Sequence, residues 1–120
     1  MFRRDKMTFE HYDSMRGSHN NEVAREIAGK MTLVICGKEG SKAGVQFATP
    51  RCAQQRNGCD CGLYLLKFAH ILGLGRCCDG AVKAVVTVKP EDVSGFRTFV
   101  RKVIDTVGEE RRKKLAGKVK

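Results

Sequence analysis

Gln54-Gln55-Arg56-Asn57-Gly58-Cys59-Asp60-Cys61-Gly62 leads directly into Leu63-Tyr64-Leu65-Leu66-Lys67-Phe68-Ala69-His70-Ile71-Leu72. Only Lys67 and His70 interrupt the apolar run, and β-branching is scarce, so it predicts a buried helix rather than a strand. Asn57 and Gly58 supply a turn, and Asp60 is placed to cap the helix start. Cys61 then falls in the first helical turn, where unpaired backbone N–H groups and the helix dipole favour negative charge. A thiol in that setting is a candidate nucleophile. Gln55, six residues earlier, is an uncharged donor able to hold an oxyanion beside the Cys61 N–H. Residue types alone leave a second reading open, because a Cys opening an apolar helix is commonly just a small buried residue.

The string Gln54-Gln55-x-Asn57-Gly58-x-Asp60-Cys61-Gly62-Leu63-Tyr64 resembles the active-site signature of the Ulp/sentrin-specific cysteine proteases. That family processes SUMO, Nedd and related ubiquitin-like modifiers. A second block, His11-Tyr12-Asp13-Ser14-Met15 with Asn20 following, resembles the segment that carries the family's catalytic Asp. The resemblance covers most of the chain and is loose from Cys77 to Lys120. It implies an α+β, papain-like fold and a thiol protease acting after the C-terminal Gly-Gly of a modifier. It also implies Cys61 as nucleophile, Asp13 as the carboxylate that orients a catalytic His, and Gln55 in the oxyanion hole. The partners would be a ubiquitin-like modifier and its conjugates, with no metal or organic cofactor. His11 before Tyr12 is more similar to the deneddylase-like branch than to the SUMO-specific one.

The base is harder to find. A cysteine protease needs an imidazole within hydrogen-bond reach of its sulfur, and this chain has only His11, His19 and His70. His70 lies nine residues beyond Cys61 on the predicted helix, about 13 Å along its axis and out of reach. His19 falls in a predicted loop, and His11 shares a strand face with Asp13, about 7 Å from it. In the family the catalytic His, followed by Trp, lies upstream of the Asp on a neighbouring strand. Carried over, that position falls before Met1. The expectation is therefore the C-terminal portion of a catalytic domain, without its helical lobe or His strand, and inactive as 120 residues alone.

The rest of the chain reads as follows. Phe2 to Tyr12 predicts strand with a turn around Arg4-Asp5-Lys6, and by period two Met7, Phe9, His11 and Asp13 share the core-facing side, although by residue type alone Asp13-Ser14 reads as a turn opening or a cap for the next helix. Gly17 to Asn20 predicts a loop, with Asn20 or Asn21 capping a helix through Val23, Ala24, Ile27, Ala28 and Met31 that fades before Gly37. Lys38 to Gly44 predicts an exposed loop, and Val45-Gln46-Phe47-Ala48 a short strand ending before Pro50. Gly73, Gly75 and Gly80 around Cys77-Cys78 predict a loop, and Val82, Val85, Val86 and Val88 an extended segment. Pro90-Glu91-Asp92 opens a last helix with Phe96, Val100, Val103, Ile104 and Val107 on its apolar face.

Bulk properties narrow the classes. The length of 120 residues suits one small domain, here residues 1–120 with a basic helical tail at 109–120. No apolar stretch approaches the length that spans a bilayer. Met1-Phe2-Arg3-Arg4-Asp5-Lys6 is too charged to open a secretory signal, so the six cysteines suggest free thiols in the cytoplasm or nucleus. Their spacings, Cys59-x-Cys61 and Cys77-Cys78 with Cys36 and Cys52 apart, do not match a zinc site. The net charge of +10 admits nucleic acid as an alternative partner, yet no aromatic residue interleaves with Arg111-Arg112-Lys113-Lys114 and no nucleic-acid motif is present. A catalytically dead modifier-binding module is the other alternative.

Overall fold

The hairpin expected near Arg4-Asp5-Lys6 forms the first part of the sheet in the computed structural model, which describes residues 1–39, 44–75 and 78–119. β1 (Phe2–Arg3) pairs antiparallel with β2 (Thr8–Glu10), Phe2 opposite Phe9 and Arg3 opposite Thr8. Mutual bonds between the Met1 and Glu10 backbones, 2.7 and 2.9 Å, carry the pairing back to the first residue. β3 (Gln46–Ala48) lies parallel on the other side of β2, so the order is β1-β2-β3. A parallel return needs a crossover, and the helix α1 (Ser18–Cys36) lies between β2 and β3 in the chain. Mixed helix and strand make the fold α+β.

The strand faces differ from the period-two expectation. Arg3, Thr8 and Glu10 are buried, whereas Met7, Phe9, His11 and Asp13 are only half-buried. The reason is electrostatic. The Arg3 guanidinium is held by both oxygens of Asp5, at 2.8 and 3.0 Å, and lies 3.6 Å from Asp79 and 3.9 Å from Glu10. Glu10 in turn accepts from the Tyr12 hydroxyl at 2.7 Å. A charge enters a protein interior when it brings its partners with it. On the opposite face the Phe2 and Phe9 rings meet at a tilt of 43°, with centroids 4.8 Å apart, above a groove of about 400 Å³ shared with Ile27, Ala28 and Met31 of α1.

α1 starts two to three residues before the expected cap, with Gly17 at its N-cap and His19 and Asn20 already helical. The two Asn side chains are committed elsewhere. Asn20 Nδ2 donates to Asp13, and Asn21 Oδ1 accepts from Thr49 and meets His11 Nδ1 at 3.1 Å. Gly37 ends the helix at φ 67°, a left-handed conformation that glycine adopts freely. Of the apolar stripe, Ala28 is buried while Val23, Ile27 and Met31 remain exposed. A single 3-10 turn (Gly37–Glu39) follows; within the expected loop Lys38 to Gly44, residues 40–43 lie outside the described residues.

α2 (Cys61–Leu74) is the helix predicted from the apolar run, but it buries one face only. Tyr64, Phe68 and Leu72, spaced four apart, are buried, with the first two rings edge to face at 5.9 Å. Leu65, Leu66 and Leu74 are exposed. Of the valines expected to be extended, Val82 is helical and Val85 and Val86 lie in the turn that ends its helix. α3 (Asp79–Ala84) is capped by Cys78, whose sulfur accepts from the Ala81 N–H at 3.4 Å. Ala81 and Val85, one turn apart, are buried, and the Val85 carbonyl accepts from the Ala53 N–H at 2.9 Å. Tertiary burial has overridden β-branching here. Cys77, half of the expected Cys77-Cys78 loop, lies outside the described residues.

The chain divides into two compact units, Met1–Val88 and Lys89–Lys120. The second is essentially α4 (Pro90–Lys118), with Pro in its first turn and the Asp92 carboxylate accepting from the Lys89 N–H at 2.8 Å. Of its expected apolar face Phe96 is buried and Val100 half-buried, whereas Val103, Ile104 and Val107 are exposed; Val93 is buried as well. No helix among the described residues is long and apolar enough to cross a membrane.

Candidate active site

Asp13 leaves β2 into a tight turn that its own carboxylate organises. Oδ1 accepts from the Met15 N–H at 2.9 Å and Oδ2 from Asn20 Nδ2 at 3.0 Å. Such Asx geometry is a common way for Asp to open a turn. Here it also aligns the carboxylate between the end of the sheet and the start of α1. A cleft of about 380 Å³ opens beside it, lined by His11, Asp13, Arg16, Asn21, Thr49 and Cys52 among others. Gln55 and Cys61 are not among the described residues that line this cleft.

The segment before α2 is fastened to this turn by several hydrogen bonds. The Gln55 N–H donates to the Ser14 carbonyl at 2.8 Å, and the Ser14 hydroxyl donates to Gln55 Oε1 at 2.7 Å. Gln54 Nε2 donates to the Asp13 carbonyl at 2.8 Å, while Gln54 Oε1 accepts from the Arg16 N–H at 3.0 Å. Beneath them the buried Cys52 thiol donates to the Asp13 carbonyl at 3.3 Å, and burial pushes that thiol up from its ordinary range. Cys52 is therefore held as a thiol that packs and donates, away from nucleophilic chemistry.

From Gln55 the hydrogen bonds continue to the helix start. Gln55 Nε2 donates to the Asn57 carbonyl, and Asn57 Oδ1 accepts from the N–H groups of Cys59 and Asp60 at 3.2 and 3.0 Å. Asp60 occupies the N-cap position but makes no cap bond with its side chain, contrary to the sequence expectation. Its carboxylate accepts instead from Asn57 Nδ2 at 2.8 Å. Asn57 thus shapes the turn. Cys61 is the first residue of α2, exposed, with an N–H that no intrahelical carbonyl reaches.

Of the three residues singled out in the sequence, the structure joins Asp13 to Gln55 through Ser14 and Gln54. It leads from Gln55 to Cys61 through the Asn57 turn. No hydrogen bond among the described residues links the Cys61 thiol to Asp13, to Gln55 or to an imidazole. His11 contacts Asn21 and lies 6.2 Å from the Phe47 ring, His19 is exposed on α1, and His70 is on α2. No group of three or more His, Cys, Asp or Glu among the described residues is placed to hold a metal ion. Sequence reasoning missed Ser14, Gln54 and Cys52. Their contacts cross about forty residues of chain, which local periodicity does not report, although Ser14 and Gln54 both stand inside the two quoted blocks.

A helix-initial cysteine, a glutamine on the loop before it and an aspartate whose turn is fastened to that loop are thus connected through one run of hydrogen bonds. The profile of the Ulp1 protease family, C-terminal catalytic domain, matches residues 3–112, and the chain belongs to this family. Its intact domains are cysteine peptidases of ubiquitin-like proteins. No curated protein and no solved structure matches the chain.

Proposed function

We propose that residues 1–120 are the C-terminal part of a papain-like thiol protease domain, with a basic tail at 109–120, working in the cytoplasm or nucleus. Its reaction is hydrolysis of the peptide or isopeptide bond after the C-terminal Gly-Gly of a SUMO- or Nedd-type modifier. The Cys61 thiolate attacks the scissile carbonyl carbon. The tetrahedral oxyanion is met by the Cys61 N–H and by Gln55 Nε2. Asp13 orients an imidazole that takes the thiol proton and delivers it to the leaving amine. Water then hydrolyses the thioester.

The observation that carries this reading is the hydrogen-bonded platform from Asp13 through Ser14 and Gln54 to Gln55 and the Asn57 turn. It ties the turn of Asp13 to the segment of Gln55 that leads into the Cys61 helix, which supports the reading. The imidazole is proposed to come from chain preceding Met1, continuing β1. In an antiparallel pair, each step back from Phe2 is a step forward from Phe9, so that chain would run beside His11, Tyr12 and Asp13. The exposed apolar residues of α1 and of α2 support further chain covering them.

The test is cleavage of a modifier carrying a C-terminal fluorophore, by protein that includes upstream chain, with Cys61→Ala as control. A second reading is favoured by the lack of any imidazole bonded to Cys61 or Asp13 among the described residues: a module that binds the modifier without turnover. Binding without cleavage in the extended protein would select it.

A further inference from the structure

We propose that Ser14 and Gln54 are positioning residues of this site, a reciprocal clasp that ties the turn of Asp13 to the segment carrying Gln55. The inference rests on the reading of Asp13, Gln55 and Cys61 above and deepens it. Ser14 follows Asp13 in the chain and holds Gln55; Gln54 precedes Gln55 and holds the turn of Asp13. Each segment supplies one reacting-site residue and one residue that fixes the other segment's.

The chemistry of the Gln55 amide shows why the Ser14 hydroxyl matters. The Asn57 carbonyl can only accept, so the end of the amide facing it is Nε2. Oε1 then faces Ser14, whose hydroxyl donates at 2.7 Å, and Ser14 is itself buried with 6% of its surface exposed. One Nε2 proton is engaged by Asn57 and the second is left for an oxyanion. Without the hydroxyl, Oε1 loses a buried partner and the amide gains freedom to rotate about its last torsion. A half-turn presents a carbonyl oxygen where a donor is required, which repels the developing charge.

Gln54 acts through the other reacting-site residue. Its amide spans the turn from the Asp13 carbonyl to the Arg16 N–H, at 2.8 and 3.0 Å. Inside that span the Met15 N–H holds Asp13 Oδ1. Loosening the turn therefore moves the carboxylate. Misplacement of a reacting group by about 1 Å costs up to about 10² in rate.

The amide spectrum of the full 120-residue chain tests the clasp without needing turnover. In a ¹⁵N–¹H correlation spectrum the Gln55 side-chain NH₂ pair is expected away from its free-glutamine position, and Ser14→Ala should return it there. The backbone signals of β2 and α2 should hold, which shows that the variant folds. A Gln55 pair already at the free position in the parent chain, or unmoved by Ser14→Ala, overturns the inference. In protein that cleaves a modifier, Ser14→Ala should lower kcat by about tenfold to a hundredfold with KM within about twofold. On a Gln55→Ala background it should add no further loss, and full additivity would also overturn the inference. Failure of the protease reading shows separately, as cleavage that survives in Cys61→Ala.

Discussion

Gly75→Ala probes how closely the end of α2 approaches α3. A Cβ at Gly75 would lie 2.4 Å from the Ala81 Cβ and 3.1 Å from the Ile71 carbonyl oxygen. Non-bonded carbons settle about 3.5–4.0 Å apart, so the pair must separate by roughly 1 Å or more. Ala81 is buried and has no rotamer to turn, so the movement falls on the backbone of α3. That backbone is tied to the Cys78 cap and, through the Val85 carbonyl, to Ala53. Overpacking of this kind costs about 1–3 kcal/mol. Gly75 sits at φ −77°, which alanine adopts without strain, so reduced freedom of the unfolded chain offsets about 0.4–1 kcal/mol. The balance is a loss of roughly 0.5–2 kcal/mol, or about 2–15 °C in Tm for a unit of this size. Urea unfolding followed by far-UV circular dichroism measures it, with the m-value checked for constancy. Ala81→Gly removes the opposing methyl, so Gly75→Ala should cost much less on that background, with a coupling of about 1 kcal/mol. A Gly75→Ala protein as stable as the parent, with additive behaviour in the cycle, would refute the close approach.

Three further outcomes are expected. Cys61→Ala or Cys61→Ser should abolish modifier cleavage while Cys36→Ala leaves it within about twofold, since the proposed mechanism makes the Cys61 thiolate the attacking group; kcat in a fluorogenic assay reads both. Gln55→Ala should lower kcat by about 10²–10³ with modifier binding nearly intact, and equal losses in kcat and affinity would assign Gln55 a purely structural part. Asp5 is held below the usual carboxylate range chiefly by its bond to Arg3, and Asp79 chiefly by its bond to Lys6. Folded values that are lowered contribute stability above the unfolded carboxylate range, near pH 4, and lose it as pH falls through the folded values. Urea midpoints measured from pH 7 down to pH 2 should therefore fall below about pH 4, less steeply in an Asp5→Asn, Asp79→Asn double variant.

Much of the architecture was legible because local chemistry and tertiary use agree. Asn57-Gly58 before an apolar run, Pro90-Glu91-Asp92, and Gly37 at a helix end each do locally what the fold requires. The departures occur where a distant partner takes over. Asp60 looked like the cap of α2, but Asn57 claims its carboxylate. Asn20 and Asn21 looked like caps of α1, but Asp13, Thr49 and His11 engage them. The valines after Gly80 looked extended until Ala81 and Val85 packed as one helical face. The strand face inverted because Arg3 is buried beside the buried Glu10 and is bonded from the surface by Asp5. In the site, the residue types and spacing of Gln55 and Cys61 were visible in one stretch. Ser14 and Gln54 were not, since their roles exist only once residues some forty positions apart meet.

Covalent trapping tests the central claim most directly. Protein carrying the upstream chain is incubated with a ubiquitin-like modifier whose C-terminus bears a thiol-reactive electrophile, then digested and mapped by mass spectrometry. Cys59, Cys61 and Cys78 are all exposed, so accessibility alone does not choose among them. The account predicts a single adduct on Cys61, lost in Cys61→Ala without reappearing elsewhere. An adduct on Cys59 or Cys78, or none on a protein that binds the modifier, would contradict it.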